Sequence, residues 1–132
     1  MVETSFLSQD KLAREQIDPD ALVVLDQFYP QIVASVRQAI ASEMIVVVGM
    51  AGNPFVKKAR IALHSANFEF RYLEFGGYFR QWKQRLAIKL WSGWPTFPQV
   101  FVDGKLIGGF EQLHRKIENG SLRAMLERLR SP

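Results

Sequence analysis

The sequence predicts an α/β fold built as one domain, and three observations carry that prediction. Ile45-Val46-Val47-Val48 is a β-branched run without polar alternation, which suits a central strand covered on both faces. Apolar residues recur at helical spacing in the segments before and after it. Further on, Asp103-Gly104 stands between the apolar runs Gln99-Val-Phe-Val102 and Leu106-Ile107, a strong two-residue hairpin signal.

Taken in order, residues 1–17 are mixed and weakly periodic, a frayed arm or a short helix. Asp18-Pro19 reads as an N-cap followed by proline at the first helical position, and Leu22, Leu25, Phe28 (or Tyr29), Ile32, Val36 and Ile40 follow at helical spacing. This predicts an amphipathic helix, or a helix pair broken near Pro30, whose stripe must bury against the following domain or a second subunit. After the strand at Met44–Val48 and a turn over Gly49–Gly52, a helix is expected from Pro54 to about Ser65, with Phe55, Ala59 and Leu63 on one side. Phe68 to Phe75 alternates as a second strand, and Tyr78 to Leu90 returns to helical spacing through Phe79, Trp82, Leu86 and Leu90. Beyond the hairpin, Phe110, Leu113 and Ile117 share a helix face, Asn119-Gly120 stops that helix, and Ser121 caps a last one through Leu122, Leu126 and Leu129. The order is β-α-β-α-β-β-α after the N-terminal helices.

At 132 residues, 48% hydrophobic and 23% charged, the chain has the composition of one globular domain with a sizeable core. Its 17 basic and 13 acidic residues give a net charge of +4 that is spread through helical segments, so a nucleic-acid partner is not expected. The longest nearly uncharged run, around Met44–Ala51, is too short to span a bilayer, and the N-terminus lacks the pattern of a signal peptide. The expectation is a cytoplasmic protein without a membrane partner. The chain contains no cysteine, which removes disulfides, thiolate-held clusters and thiol catalysis by this chain alone. His64 and His114 are too few and too far apart to suggest zinc.

The strand, glycine-bounded loop, helix, strand, helix and hairpin, together with Trp94-Pro-Thr-Phe-Pro-Gln-Val-Phe-Val-Asp-Gly-Lys-Leu-Ile-Gly-Gly109, resemble a glutaredoxin, closest to the monothiol branch. The resemblance covers roughly Met44 to Leu129. It implies a thioredoxin-like fold with a four-stranded mixed sheet flanked by helices, divided as an N-terminal helical extension (1–43) and a glutaredoxin-like domain (44–132). It also implies a glutathione groove. In such a groove Pro98 is cis, and the backbone N–H and C=O of Phe97 pair with the extended peptide. Trp94 and Thr96 flank that corner. Gly108 and Gly109 let the backbone approach the ligand, and the helix starting near Phe110-Glu111 offers N–H groups to the γ-glutamyl carboxylate. Arg85 matches a family position that reaches the glycyl carboxylate, with Lys89 one turn later assisting.

Two positions depart from the family pattern. Asn53 stands where the nucleophilic cysteine belongs, and Met50 where a basic residue precedes it by three. An amide is neither nucleophilic nor redox-active, and Val56 replaces the second cysteine of dithiol members. Asn53-Pro54 instead reads as a helix start, because Asn is among the best N-caps and Pro suits the next position. Phe110 adds a bulky apolar group and, with Phe55, Trp94 and Phe97, an aromatic patch. The leading expectation is a binding or regulatory module without thiol–disulfide oxidoreductase activity, tied to redox homeostasis, with glutathione or a protein segment in the groove. Pairing of two chains through the N-terminal helices is a further expectation. An alternative is a transferase-type enzyme that activates the ligand's own thiol through Asn53, or through the more distant Ser92 or Tyr78. Another is an engineered Asn53 in place of a natural cysteine, against which Met50 and Val56 also depart.

Overall fold

The structure, a computed structural model, describes residues 11–130. Most of the expected N-terminal arm lies outside the described residues; from Arg14 to Gln16 the chain makes a single 3-10 turn. Two helices follow, α1 (Pro19–Asp26) and α2 (Pro30–Ser42). Asp18 caps α1 by accepting the Asp20 N–H at 3.0 Å, as its position before proline predicts. The break between the helices falls at Tyr29, whose φ of 50° is left-handed, immediately before Pro30. Arg14 holds both carboxylate oxygens of Asp26, at 3.2 and 2.9 Å, and this hydrogen-bonded pair keeps the carboxyl below its usual range. Any stabilisation from the pair is therefore present above the normal carboxylate pKa and fades as the pH falls through the depressed one.

The remaining elements are β1 (Ile45–Gly49), α3 (Pro54–Ser65), β2 (Arg71–Glu74), α4 (Trp82–Ser92), β3 (Gln99–Val102), β4 (Lys105–Gly108), α5 (Phe110–Glu118) and α6 (Ser121–Arg130). They form a four-stranded sheet in the order β2-β1-β3-β4. β1 runs parallel to β2 and antiparallel to β3, and β4 is antiparallel to β3, so the sheet is mixed. Asp103 and Gly104 both take positive φ, 52° and 75°, the backbone a tight primed hairpin turn needs. The second strand is shorter than its alternation predicts. It is also an edge strand, and its open side carries charge: the Tyr72 hydroxyl donates to Glu74 at 2.9 Å while the Arg60 guanidinium lies 3.8 Å from the Tyr72 ring centroid.

All five residues of β1 and all four of β3 are buried. Alternate side chains serve opposite faces. Val46, Val48 and Phe101 pack with Val36 and Ala39 of α2 and Ile88 of α4, whereas Ile45, Val47, Val100 and Val102 pack with Ala59 and Leu63 of α3, Leu113 of α5 and Leu122 of α6.

Four helical expectations are corrected by this packing. The N-terminal stripe buries only in part: Val36 is fully buried and Ile32 and Ile40 pack beside it, but Leu22 and Phe28 are half-buried and Leu25 is exposed, as are Val23 and Val24 beside it in α1. The left-handed turn at Tyr29 breaks the helical phase, so the α1 stripe does not continue that of α2. In α3, Val56 rather than Phe55 joins Ala59 and Leu63 inside. The helix expected from Tyr78 starts only at Trp82, and it buries Arg85, Ala87 and Ile88 instead of the face carrying Trp82, Leu86 and Leu90. Apolar residues occupy both sides of α4, so spacing alone could not fix its phase. Finally, Asn119 Oδ1, not Ser121, caps α6, accepting the Ser121 N–H at 2.9 Å.

Because α2 is part of the core and α1 is not, Val36→Ala should cost roughly 2 kcal/mol. Val24→Ala should change stability by less than about 0.5 kcal/mol. Urea denaturation of the two variants checks both; equal losses would mean α1 is packed as tightly as α2.

Candidate functional site

β1 and β4 run in the same direction, and each feeds a helix at its C-terminal end. The N-termini of α3 and α5 therefore lie at one edge of the sheet, where the antiparallel β3 also begins. Between them is an open cavity of about 480 Å³, lined by Met50, Asn53 and Phe55, by Trp94 to Pro98, by Gly109 to Gln112, and by Lys89 from α4. Its size is that of a small-ligand groove.

Asn53 is the cap of α3. Its Oδ1 accepts the N–H groups of Phe55 at 2.9 Å and Val56 at 3.2 Å, and its Nδ2 donates to the Phe97 carbonyl at 3.4 Å. The side chain thus ties the α3 N-terminus to the segment before β3. That segment turns at a cis Phe97–Pro98 bond, as the sequence resemblance implies. The Phe97 ring itself is buried, with the Lys89 ammonium 5.6 Å from its centroid, so the residue presents backbone to the groove. Its carbonyl is not wholly free, however: one lone pair faces Asn53.

Trp94 closes the near wall. Its N–H donates to Ser92 Oγ at 3.1 Å and its carbonyl accepts from Gln99 Nε2 at 3.0 Å. Among the described residues, the buried indole Nε1 has no hydrogen-bond partner. A Cβ at Gly109 would lie 3.4 Å from both that nitrogen and the Pro98 carbonyl, so glycine lets α5 begin hard against the opposite wall. The first N–H groups of α5 have no acceptor within their own helix, but Gln112 reaches back to accept the Gly109 N–H at 3.0 Å. Phe55 and Phe110 stand across the opening with ring centroids 6.4 Å apart.

Of the residues expected to hold a ligand, Lys89, Trp94, Thr96, Phe97, Pro98, Gly109, Phe110 and Glu111 line the groove; Gly108 and Arg85 do not. Gly108 has φ of 124°, and a Cβ there would run into Gln112 at 2.8 Å, so it shapes the entry to α5 rather than the wall. Arg85 is the larger correction. It is buried, and its Nη1 lies 2.9, 2.7 and 2.6 Å from the carbonyl oxygens of Phe75, Gly77 and Arg80. The guanidinium holds the loop entering α4, and Lys89 is the cation left facing the groove. Ser92 and Tyr78, considered as distant partners for a ligand thiol, are not in the groove either. Pro95 and Gln112 also line the groove, beyond the residues the sequence motif marks as ligand-binding. For Gln112 the signal was available, since a glutamine at the third helical position after a glycine start is placed to reach back to the cap.

The sheet order, the cis-proline corner and the two helix N-termini define the thioredoxin-like class. Residues 45–107 match the glutaredoxin family model, and the chain is 43% identical over 98 residues to a glutaredoxin-like protein of Dictyostelium discoideum, covering 74% of this chain and 80% of that one. The chain belongs to the glutaredoxin family. A shorter stretch is 45% identical to monothiol glutaredoxin-4 of Schizosaccharomyces pombe, over 32% of this chain and 17% of that protein. Among solved structures, wheat glutaredoxin superposes with a TM-score of 0.65 at 26% identity, over 75% of this chain and 93% of the other. A buckwheat glutaredoxin in complex with glutathione superposes at 0.64 and 22% identity, over 75% and 90%.

Two substitutions separate structural from ligand-facing roles. Asn53→Ala removes the cap and should cost about 1 kcal/mol of stability. Arg85→Met removes the guanidinium from the buried Phe75 carbonyl and the half-buried Gly77 and Arg80 carbonyls and should cost more, at least about 1.5–3 kcal/mol, the worth of one charged hydrogen bond. Melting temperatures order the pair; an Arg85→Met protein as stable as the parent would show that the loop finds other donors.

Proposed function

We propose that this chain is a redox-inactive glutaredoxin-like module, with residues 44–132 as the binding unit and 1–43 as its helical extension, whose groove takes glutathione or an extended peptide segment. The observation that carries the reading is the groove itself: a peptide-pairing corner at Phe97–Pro98 stands opposite the N-terminus of α5, with a cap where a nucleophile would be. An extended peptide with a carboxylate at each end suits it, one end near Lys89 and the other near the α5 N–H groups. The buckwheat glutaredoxin bound to glutathione supports that ligand. A redox-inactive binder of this kind has no reductase step of its own, since thiolate attack requires a thiolate, and enters cytoplasmic redox homeostasis only through what it binds. The exposed Val23, Val24 and Leu25 of α1 are the surface through which two copies would pair.

The reading gives two outcomes. Glutathione at 100 times its dissociation constant should stabilise the protein by about 2.7 kcal/mol, and Lys89→Ala should weaken binding by about 1 kcal/mol, or roughly five-fold. Calorimetric titration measures both, and no heat at millimolar glutathione would defeat the reading. In a second measurement, Asn53→Cys places a thiol at a helix N-terminus, where its pKa falls. Oxidised glutathione should then give a one-to-one mixed disulfide with release of one glutathione, seen by intact mass, whereas the parent protein should show no reductase turnover. A variant that is accessible to small alkylating reagents yet forms no adduct would show that the groove does not admit glutathione.

A further inference from the structure

The outer face of α4 carries an apolar ridge that the groove does not use. Trp82, Leu86 and Leu90 are 55%, 37% and 53% exposed, and Tyr78 and Phe79 on the loop entering the helix are 60% and 97% exposed. At about 100° per residue the three helical positions fall within about 80° of arc, opposite the buried Arg85, Ala87 and Ile88. None of the five side chains lines the groove or three further cavities on the surface, and the ridge projects rather than receives.

Its charge is one-sided. From Phe75 to Val102 the sequence contains no aspartate or glutamate, while Arg80 and Lys83 stand exposed beside the ridge, the Lys83 ammonium 5.6 Å from the Trp82 ring centroid. A second copy is a poor occupant, because pairing α4 with α4 sets lysine against lysine with no acidic group to answer. A projecting edge of Tyr, Phe and Trp flanked by Arg and Lys is instead the chemistry of a headgroup boundary, where aromatic rings enter and cations meet anionic lipids.

We propose that the α4 ridge lays this domain on an anionic lipid bilayer, with Phe79 and Trp82 entering the boundary between headgroups and acyl chains and Arg80 and Lys83 contacting the headgroup anions. The proposal departs from the expectation of no membrane partner, which rests on the absence of a run long enough to span. No helix among the described residues is long and apolar enough to cross a membrane, and lying on one requires none. The ridge is separate from the groove.

The test is sedimentation of the full-length protein with vesicles of phosphatidylcholine plus phosphatidylserine, and with vesicles of phosphatidylcholine alone. Binding is expected to the anionic vesicles, with a blue shift of tryptophan emission, and to weaken with added salt. Phe79→Ala/Trp82→Ala and Arg80→Glu/Lys83→Glu should each reduce it by about ten-fold or more, with circular dichroism and melting temperature confirming that both variants fold. No binding at low salt, equal binding of the variants, or equal binding to uncharged vesicles overturns the proposal. So does a Trp82-dependent dimer in light scattering, which assigns the ridge to a second copy. Saturable binding of an acidic amphipathic helical peptide without vesicle binding overturns it as well, in favour of a protein helix.

Discussion

The structure rests on a strand buried along its whole length. All five residues of β1 are buried, which leaves the strand no solvent face and obliges the chain to supply helices on both sides of the sheet. α2 and α4 cover one side, α3, α5 and α6 the other, so α2 is part of the fold rather than an ornament on it. The same arrangement makes the groove. With β1 and β4 parallel to each other across β3, the helices that follow them begin at one edge, and the sheet delivers two helix N-termini and the Phe97–Pro98 corner to one place.

How much of this the sequence discloses depends on whether the signal is local. The β-branched run of β1, the proline at the start of α3 and the Asp103-Gly104 turn act through their own backbone geometry, and each element formed where its residues point. Phase was harder. α4 has apolar residues on two sides, and the face turned inward carries an arginine; only the carbonyls of a loop several residues upstream explain why a charged side chain is the one that buries. α1 fails for a similar reason, since its stripe reads as a continuation of that of α2 until the left-handed turn at Tyr29 swings it out.

The site was legible in the same uneven way. The Trp94–Pro98 segment and the start of α5 are contiguous motifs, and they converge as the resemblance implies. Arg85 and Lys89 differ by one helical turn, and the sequence cannot say which of two cations on a helix faces a cavity and which anchors a loop. The role of Gln112 is written in its position three residues after Gly109 rather than in hydropathy, because it satisfies the backbone N–H at the start of its own helix.

Asn53 has a consequence beyond this one chain. A carboxamide at the head of α3 closes two backbone donors, which sulfur accepts poorly, and it bridges to the neighbouring segment besides. At this position reactivity and helix stability draw on different atoms. The carboxamide therefore ties the helix start to the segment before β3, a bond that a thiol would make poorly. The same helix N-terminus that would make a cysteine reactive is, with a carboxamide in its place, a brace between two walls of the groove.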